Sequence, residues 1–147
     1  VLDLILSIQR DEYGIAITAQ DQPDLTDIPA FYQSGCGDFW VACADDRLVG
    51  TIALRDIGAG QAALRKMFVA ASHRGHAAGV AQALLDRLMA EARDRGVAQI
   101  WLGTTDRFLA AHRFYEKNGF GLVMPEALPG SFPKMAVDSR FYAIRIG

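Results

Sequence analysis

The sequence predicts a mixed α/β fold: a mostly antiparallel central sheet flanked by helices, an α/β/α sandwich with one strand-helix-strand crossover. Two observations carry that expectation. Three strand-like runs follow one another with no helix between them, after a helical opening. Only then does the chain alternate helix and strand. Consecutive strands pair antiparallel, whereas a strand-helix-strand unit needs a crossover, so this order describes a mixed sandwich and not a doubly wound sheet. The unit from Leu64 to Thr104 is the single crossover, expected to be right-handed.

The elements follow in order. From Val1 to about Glu12, Leu2, Ile5, Leu6 and Ile8 mark one helical face. "DQPDLTDIPAFYQSG" reads as a loop and a short helix around Ile28 to Gln33, broken by Gly35 and Gly37. Phe39 to Ala44 and Leu48 to Ile57 are strand-like, and Asp45 and Asp46 form the hairpin turn between them. "QAALRKMFVA" is a third strand. From about Gly79, the spacing of Val80, Leu84, Leu85, Leu88 and Ala92 gives an amphipathic helix that stops at Gly96. "VAQIWLGT" is apolar enough for a strand buried on both faces. Asp106 can cap the next helix, which runs to about Asn118 and ends at Gly119. "FGLVM" and "DSRFYAIRI" are strands flanking the loop "PEALPGSFPK".

Composition narrows the function classes. At 147 residues and 16.0 kDa, with 51% hydrophobic and 22% charged residues, residues 1–147 read as one domain. A net charge of -2, with acids and bases interspersed, argues against a nucleic-acid or anionic-membrane face. Any anion must then be held by local geometry. Cys36 and Cys43 form neither a metal pattern nor a disulfide framework, so a reducing cytoplasm is the expected setting. The histidines His73, His76 and His112 supply no metal pattern either. "VLDLILSIQR" lacks a basic leader, carries Asp3 and is too short for a membrane span.

The stretch "SHRGHAAGVAQALLDRL" bridges the third strand and the leucine-patterned helix. Its Gly75 and Gly79 are four apart with no third glycine, which fails the dinucleotide fingerprint, and Gly79 is followed by Val80 and Ala81, which fails the P-loop. What remains is a strand-to-helix turn, His73 to Ala78, entering a helix at Gly79-Val80-Ala81 with small side chains at its mouth. Exposed N–H groups and the positive helix end make an anion site there, with Arg74 beside it.

"MFVAASHRG" through "GVAQALL" resembles the acetyl-CoA motif of the GNAT superfamily of N-acetyltransferases, Q/R-x-x-G-x-G/A after an apolar strand. "AAHRFYEKNGF", Ala110 to Phe120, is similar to that family's A-x-x-h-Y-E-K-x-G-F segment, in which h is apolar. The resemblance covers about Phe39 to Phe120. It implies acetyl-CoA as co-substrate, no metal, and a primary amine on a small molecule or peptide as acceptor. Anchored on the helix, Gly79-Val80-Ala81 takes the G-x-G/A positions and His76 falls where Gln or Arg is usual. Anchored on the strand, Val69 to Arg74 keeps the usual spacing, and the loop is two residues longer than in most members. The lengthened loop is preferred. Pyrophosphate contacts then come from Arg74, Gly75, His76, Ala77, Ala78, Gly79, Val80 and Ala81.

The resemblance also implies that the backbone of Met67, Phe68 and Val69 pairs with the pantetheine arm like an extra strand. Tyr115 matches the family tyrosine that protonates the departing thiolate, and a phenol with a pKa of about 10 is protonated at neutral pH. Transfer is expected to be direct, in a ternary complex. An asparagine common seven residues before that tyrosine is replaced by Phe108, whose contact to the cofactor becomes apolar or is lost. The strand glutamate that some members use as a base is absent from "AALRK", which leaves a water, a backbone carbonyl, or an acid such as Glu12 or Asp138. The acceptor is expected among Tyr13, Phe31, Tyr32, Phe132 and Arg140, with Arg140 and Arg55 favouring a carboxylate. Members of the family usually begin with a strand before the first helix, and that strand is expected upstream of Val1. The rival function is a non-catalytic acyl-CoA sensor, and a homodimer is the commonest assembly to expect.

Overall fold

The computed structural model describes residues 1–12, 22–74, 79–106, 109–134 and 138–146. Helix α1 (Leu2–Leu6) passes into a π-helical turn over Ser7–Glu12, where a continuous α-helix was expected. The helical face nevertheless holds: Ile5, Ile8 and Gln9 are buried. Helix α2 (Ile28–Tyr32) is capped by Asp27, whose side chain accepts from the Ala30 N–H, with Pro29 in the first turn.

The sheet begins with β1 (Asp38–Ala44), β2 (Arg47–Gly58) and β3 (Gln61–Val69), joined by two-residue turns. Both turns place their central residues at positive φ, Asp45 and Asp46 at 51° and 63°, Ala59 and Gly60 at 57° and 73°. That geometry matches the right-handed twist of the paired strands and holds the hairpins tight. Helix α3 (Val80–Asp94) then crosses over to β4 (Gln99–Thr104), parallel to β3. Helix α4 (Leu109–Lys117), β5 (Gly121–Val123) and β6 (Arg140–Arg145) complete the chain, and β6 inserts between β4 and β5. The order β1-β2-β3-β4-β6-β5, with β3-β4 its one parallel pairing among the described residues, is the predicted mixed sheet.

The core follows from which faces are apolar. Leu84, Leu85, Leu88, Met89 and Ala92 of α3 bury against Ile52, Leu54, Ala62, Leu64, Ile100 and Leu102 of the sheet. The intervening residues Thr51, Ala53 and Ala63 are also fully buried, so the centre of the sheet is covered on both sides. Trp101 joins this interior, while Trp40 is half-buried beneath the Arg95 guanidinium. Among the described residues, no helix is long and apolar enough to cross a membrane. Cys36 and Cys43 are free thiols.

Candidate active site

A bulge in β3 shapes the site. Thr51 pairs with Phe68 and Ala53 with Arg65, so Lys66 and Met67 together face the single residue Ile52. Lys66 takes φ +54°, a conformation that local sterics disfavour for a residue with a Cβ. Thr51 steadies the bulge by donating its hydroxyl to the Lys66 carbonyl at 2.7 Å. On the other edge, the described β3-β4 ladder joins Gln61–Ala63 to Gln99–Trp101 and goes no further. Beyond it the strands diverge, and a cavity opens on each side of the gap.

The larger cavity, about 650 Å³, is lined by Met67, Phe68 and Val69 of β3, by Gly79, Ala81 and Gln82 at the start of α3, and by α4. Gly79 caps α3 at φ +67°; a Cβ there would meet nothing within 4 Å, so the backbone angle, not space, calls for glycine. The first turn of α3 has no acidic residue and no side-chain cap, which leaves the positive helix end open to an anion. Arg74 lines the same cavity and donates Nε to the Val69 carbonyl at 2.8 Å. Arg113 and Lys117, one turn apart on α4, add two cations to this wall. Sequence reading passed over both, although their i,i+4 spacing on the helix carrying Tyr115 was a usable signal. Val80 stands in the first turn of α3 with the other entry residues. Gly75, His76, Ala77, Ala78 and Phe108 lie outside the described residues.

Tyr115 sits where the cavities meet. It, Met67, Phe68 and Ala111 line both. The motif "FYEKNGF" fixes its position by a local device: the Phe120 N–H bonds to the Tyr115 carbonyl at 3.0 Å and the Gly119 N–H to the Glu116 carbonyl at 3.2 Å, a Schellman turn with Gly119 at φ +92°. The accompanying apolar contact is the Tyr115–Phe120 ring pair, with centroids 5.6 Å apart. Asn118 ties this turn to α3 by accepting from Gln82 at 2.9 Å. Burial raises the Tyr115 phenol above its ordinary value, so it holds its proton at neutral pH.

The smaller cavity, about 80 Å³, is lined by Gln9, Arg65, Lys66, Thr105, Phe132 and Asp138 among others. Phe132 therefore stands where the acceptor was expected, and Asp138 is the one carboxylate among the described lining residues. Other acceptor-side expectations need correction. Tyr32 is 1% exposed and donates its hydroxyl to Asp24, because its ring is needed in the core. Arg55 packs over the Phe31 ring at 5.3 Å, and Arg140 reaches His112 Nδ1 at 3.3 Å; neither arginine lines a cavity. Arg65 is the arginine that does, resting over the Tyr32 ring at 5.9 Å. Tyr13 and the side chain of Glu12 lie outside the described residues.

Behind the bulge lies a buried polar cluster. Lys66 Nζ donates to Gln22 Oε1 at 2.8 Å and stands 3.5 Å from Asp24 Oδ2, the oxygen that also accepts from Tyr32. Gln22 in turn donates to Gln9 at 3.0 Å. Burial lowers the Lys66 pKa to about 8, with Asp24 opposing the fall. The lysine at the strained position is thus held by charge and hydrogen bonds from the N-terminal segment.

Comparison with known proteins gives the same picture. The model of the acetyltransferase (GNAT) family matches residues 2–120. The N-acetylaspartate synthetase of Xenopus tropicalis is 36% identical over 127 residues, covering 83% of this chain and 46% of that protein. The chain thus spans about half the length of the curated relatives it matches. A GNAT-family acetyltransferase from Staphylococcus aureus superposes with a TM-score of 0.93 at 40% identity, over 97% of this chain and 89% of that one. An acetyltransferase from Streptococcus agalactiae does so with a TM-score of 0.92 at 32% identity, over 98% and 88%. With the family match, the splayed sheet and the tyrosine helix in agreement, this chain belongs to the GNAT family of acetyltransferases.

Proposed function

We propose that this chain moves the acetyl group of acetyl-CoA directly to the primary amine of a small, carboxylate-bearing acceptor of the amino-acid type. The observation that carries the reading is the meeting of two cavities at Met67, Phe68, Ala111 and Tyr115. A cofactor arm and an acceptor entering from opposite sides would touch at that point alone, the proximity that acyl transfer needs.

The larger cavity fits coenzyme A. Arg74, Arg113, Lys117 and the open end of α3 are positive where a pyrophosphate and a further phosphate would lie. In this reading the backbone of Met67, Phe68 and Val69 pairs with the pantetheine arm, and the turn from Gly75 to Ala81 supplies N–H groups to the pyrophosphate. Tyr115 gives its proton to the departing thiolate. Burial makes it a weaker acid than a free phenol, and the same dry surroundings raise the basicity of a thiolate formed beside it. The carboxylate preference is supported by Arg65 in the smaller cavity and by the N-acetylaspartate synthetases among the relatives.

The test is thiol release from acetyl-CoA by the purified chain across amino acids, dipeptides and polyamines. Amine-dependent release led by amino acids is expected. Binding of acetyl-CoA without amine-dependent release would favour the sensor reading, and polyamines outperforming amino acids tenfold would refute the carboxylate preference.

A further inference from the structure

The amine that attacks a thioester must lose a proton, and the family's strand glutamate is missing here. We propose that Asp138, in the lead-in to β6, takes that proton; the inference rests on the acetyl-transfer reading above. Three observations place it. Asp138 lines the smaller cavity together with Tyr115, Met67 and Phe68, so its carboxylate faces the point where the two cavities join. Its space is reserved by β4: a Cβ built on Gly103 would stand 2.6 Å from Asp138 Oδ2 and 2.8 Å from its Cγ. Any side chain at that position would push the carboxyl group away. The segment is also pinned, because the Ser139 N–H bonds to the Thr104 carbonyl at 2.9 Å and the Asp106 N–H to Ser139 Oγ at 3.0 Å.

The surroundings suit a carboxylate that is ionised before the reaction and holds a proton after it. Arg65 and Lys66 face the cavity from β3, Gln9 from the N-terminal segment, Thr104 and Thr105 from the end of β4, and Tyr115 from α4. Asp138 is close enough to Lys66 to favour the lysine's charged form, and that attraction acts equally on the carboxylate.

The step balances as follows. The amine lone pair forms the N–C bond as the carbonyl π pair moves onto oxygen. The nitrogen, now positive, passes one proton to the Asp138 carboxylate. The carbonyl re-forms as the C–S bond breaks, and the thiolate takes the Tyr115 proton. Asp138 ends protonated and Tyr115 ionised, and exchange with water restores both.

Steady-state thiol release with the most active amine tests this. Asp138→Asn keeps the size and the hydrogen-bonding edge of the side chain but cannot take a proton. It should lower kcat about 100-fold, leave the KM for acetyl-CoA within twofold, and remove the acidic limb of the pH profile. Gly103→Ala should lower kcat about tenfold by displacing the carboxylate, and should add nothing when combined with Asp138→Asn, since both remove one function. This second variant keeps the inference testable if Asp138→Asn folds poorly. An Asp138→Asn enzyme with at least half the parent kcat overturns the inference, as does full additivity of the two substitutions. No amine-dependent release by the parent chain refutes the acetyl-transfer reading itself, and this one with it.

Discussion

The two ends of β3 are built by opposite means. Gln61–Ala63 sit inside a regular ladder, paired with β2 on one side and β4 on the other, with Ala62, Ala63 and Leu64 buried against apolar neighbours. Four residues on, Lys66 adopts a disfavoured backbone angle, leads into the diverging end of the strand, and is buried among Gln22, Asp24 and Thr51. The first end could accept almost any apolar residues of similar volume. The second depends on particular partners. Hydrophobic burial makes the sheet, and a polar cluster bends one strand of it open into a place where substrates can meet.

Removing one partner from the cluster is the most disruptive way to break this contrast. Asp24→Ala leaves Lys66 buried without its counter-ion and Tyr32 without its acceptor, and should cost about 3–5 kcal/mol in chemical denaturation. A loss below 1 kcal/mol would mean that the bulge is held by the β-ladder alone.

The next effect is confined to chemistry. Tyr115→Phe keeps the ring that packs on Phe120 and Tyr142 but removes the hydroxyl. About a 100-fold lower kcat is expected with nearly unchanged melting temperature. If kcat stays within threefold, the thiolate is protonated by another group or by water.

The smallest expected effect is a pH slope. Folding lowers the Lys66 pKa from 10.5 to about 8, so between these values the unfolded chain binds more protons, and stability rises with pH. The rise should show as an increase in melting temperature from pH 8 to 9. Above pH 9, Cys36 and then Tyr32 and Tyr115, all raised by burial, act in the opposite direction. Lys66→Met should abolish the slope; its persistence in that variant would assign it to another group.

Much of this was legible locally. The helix of "VAQALLDRLMAEARD", the hairpin at Asp45-Asp46 and the Schellman turn spelled by "NGF" are decided by neighbours within one or two turns of chain, and each appears where the pattern places it. The family motifs are legible for the same reason, since a strand-turn-helix and a tyrosine helix are local units. What escaped depends on distant partners. Arg65 was passed over in favour of Arg55 and Arg140, because strand alternation does not say which arginine a bulge turns into a cavity. Asp138 could be named only as one of several acids, because its relation to Gly103 exists only once β6 lies beside β4.

The sequence by itself thus determined the element types, their order, the family and the helix that presents Tyr115, all set by short-range periodicity and turn chemistry. The tertiary structure decided the bulge and the two cavities. Lys66 reaches its unfavourable backbone angle beside a hydrogen bond to Gln22, 44 residues away in sequence, and beside charge from Asp24, and such a balance of local strain against distant burial leaves no trace in a local pattern.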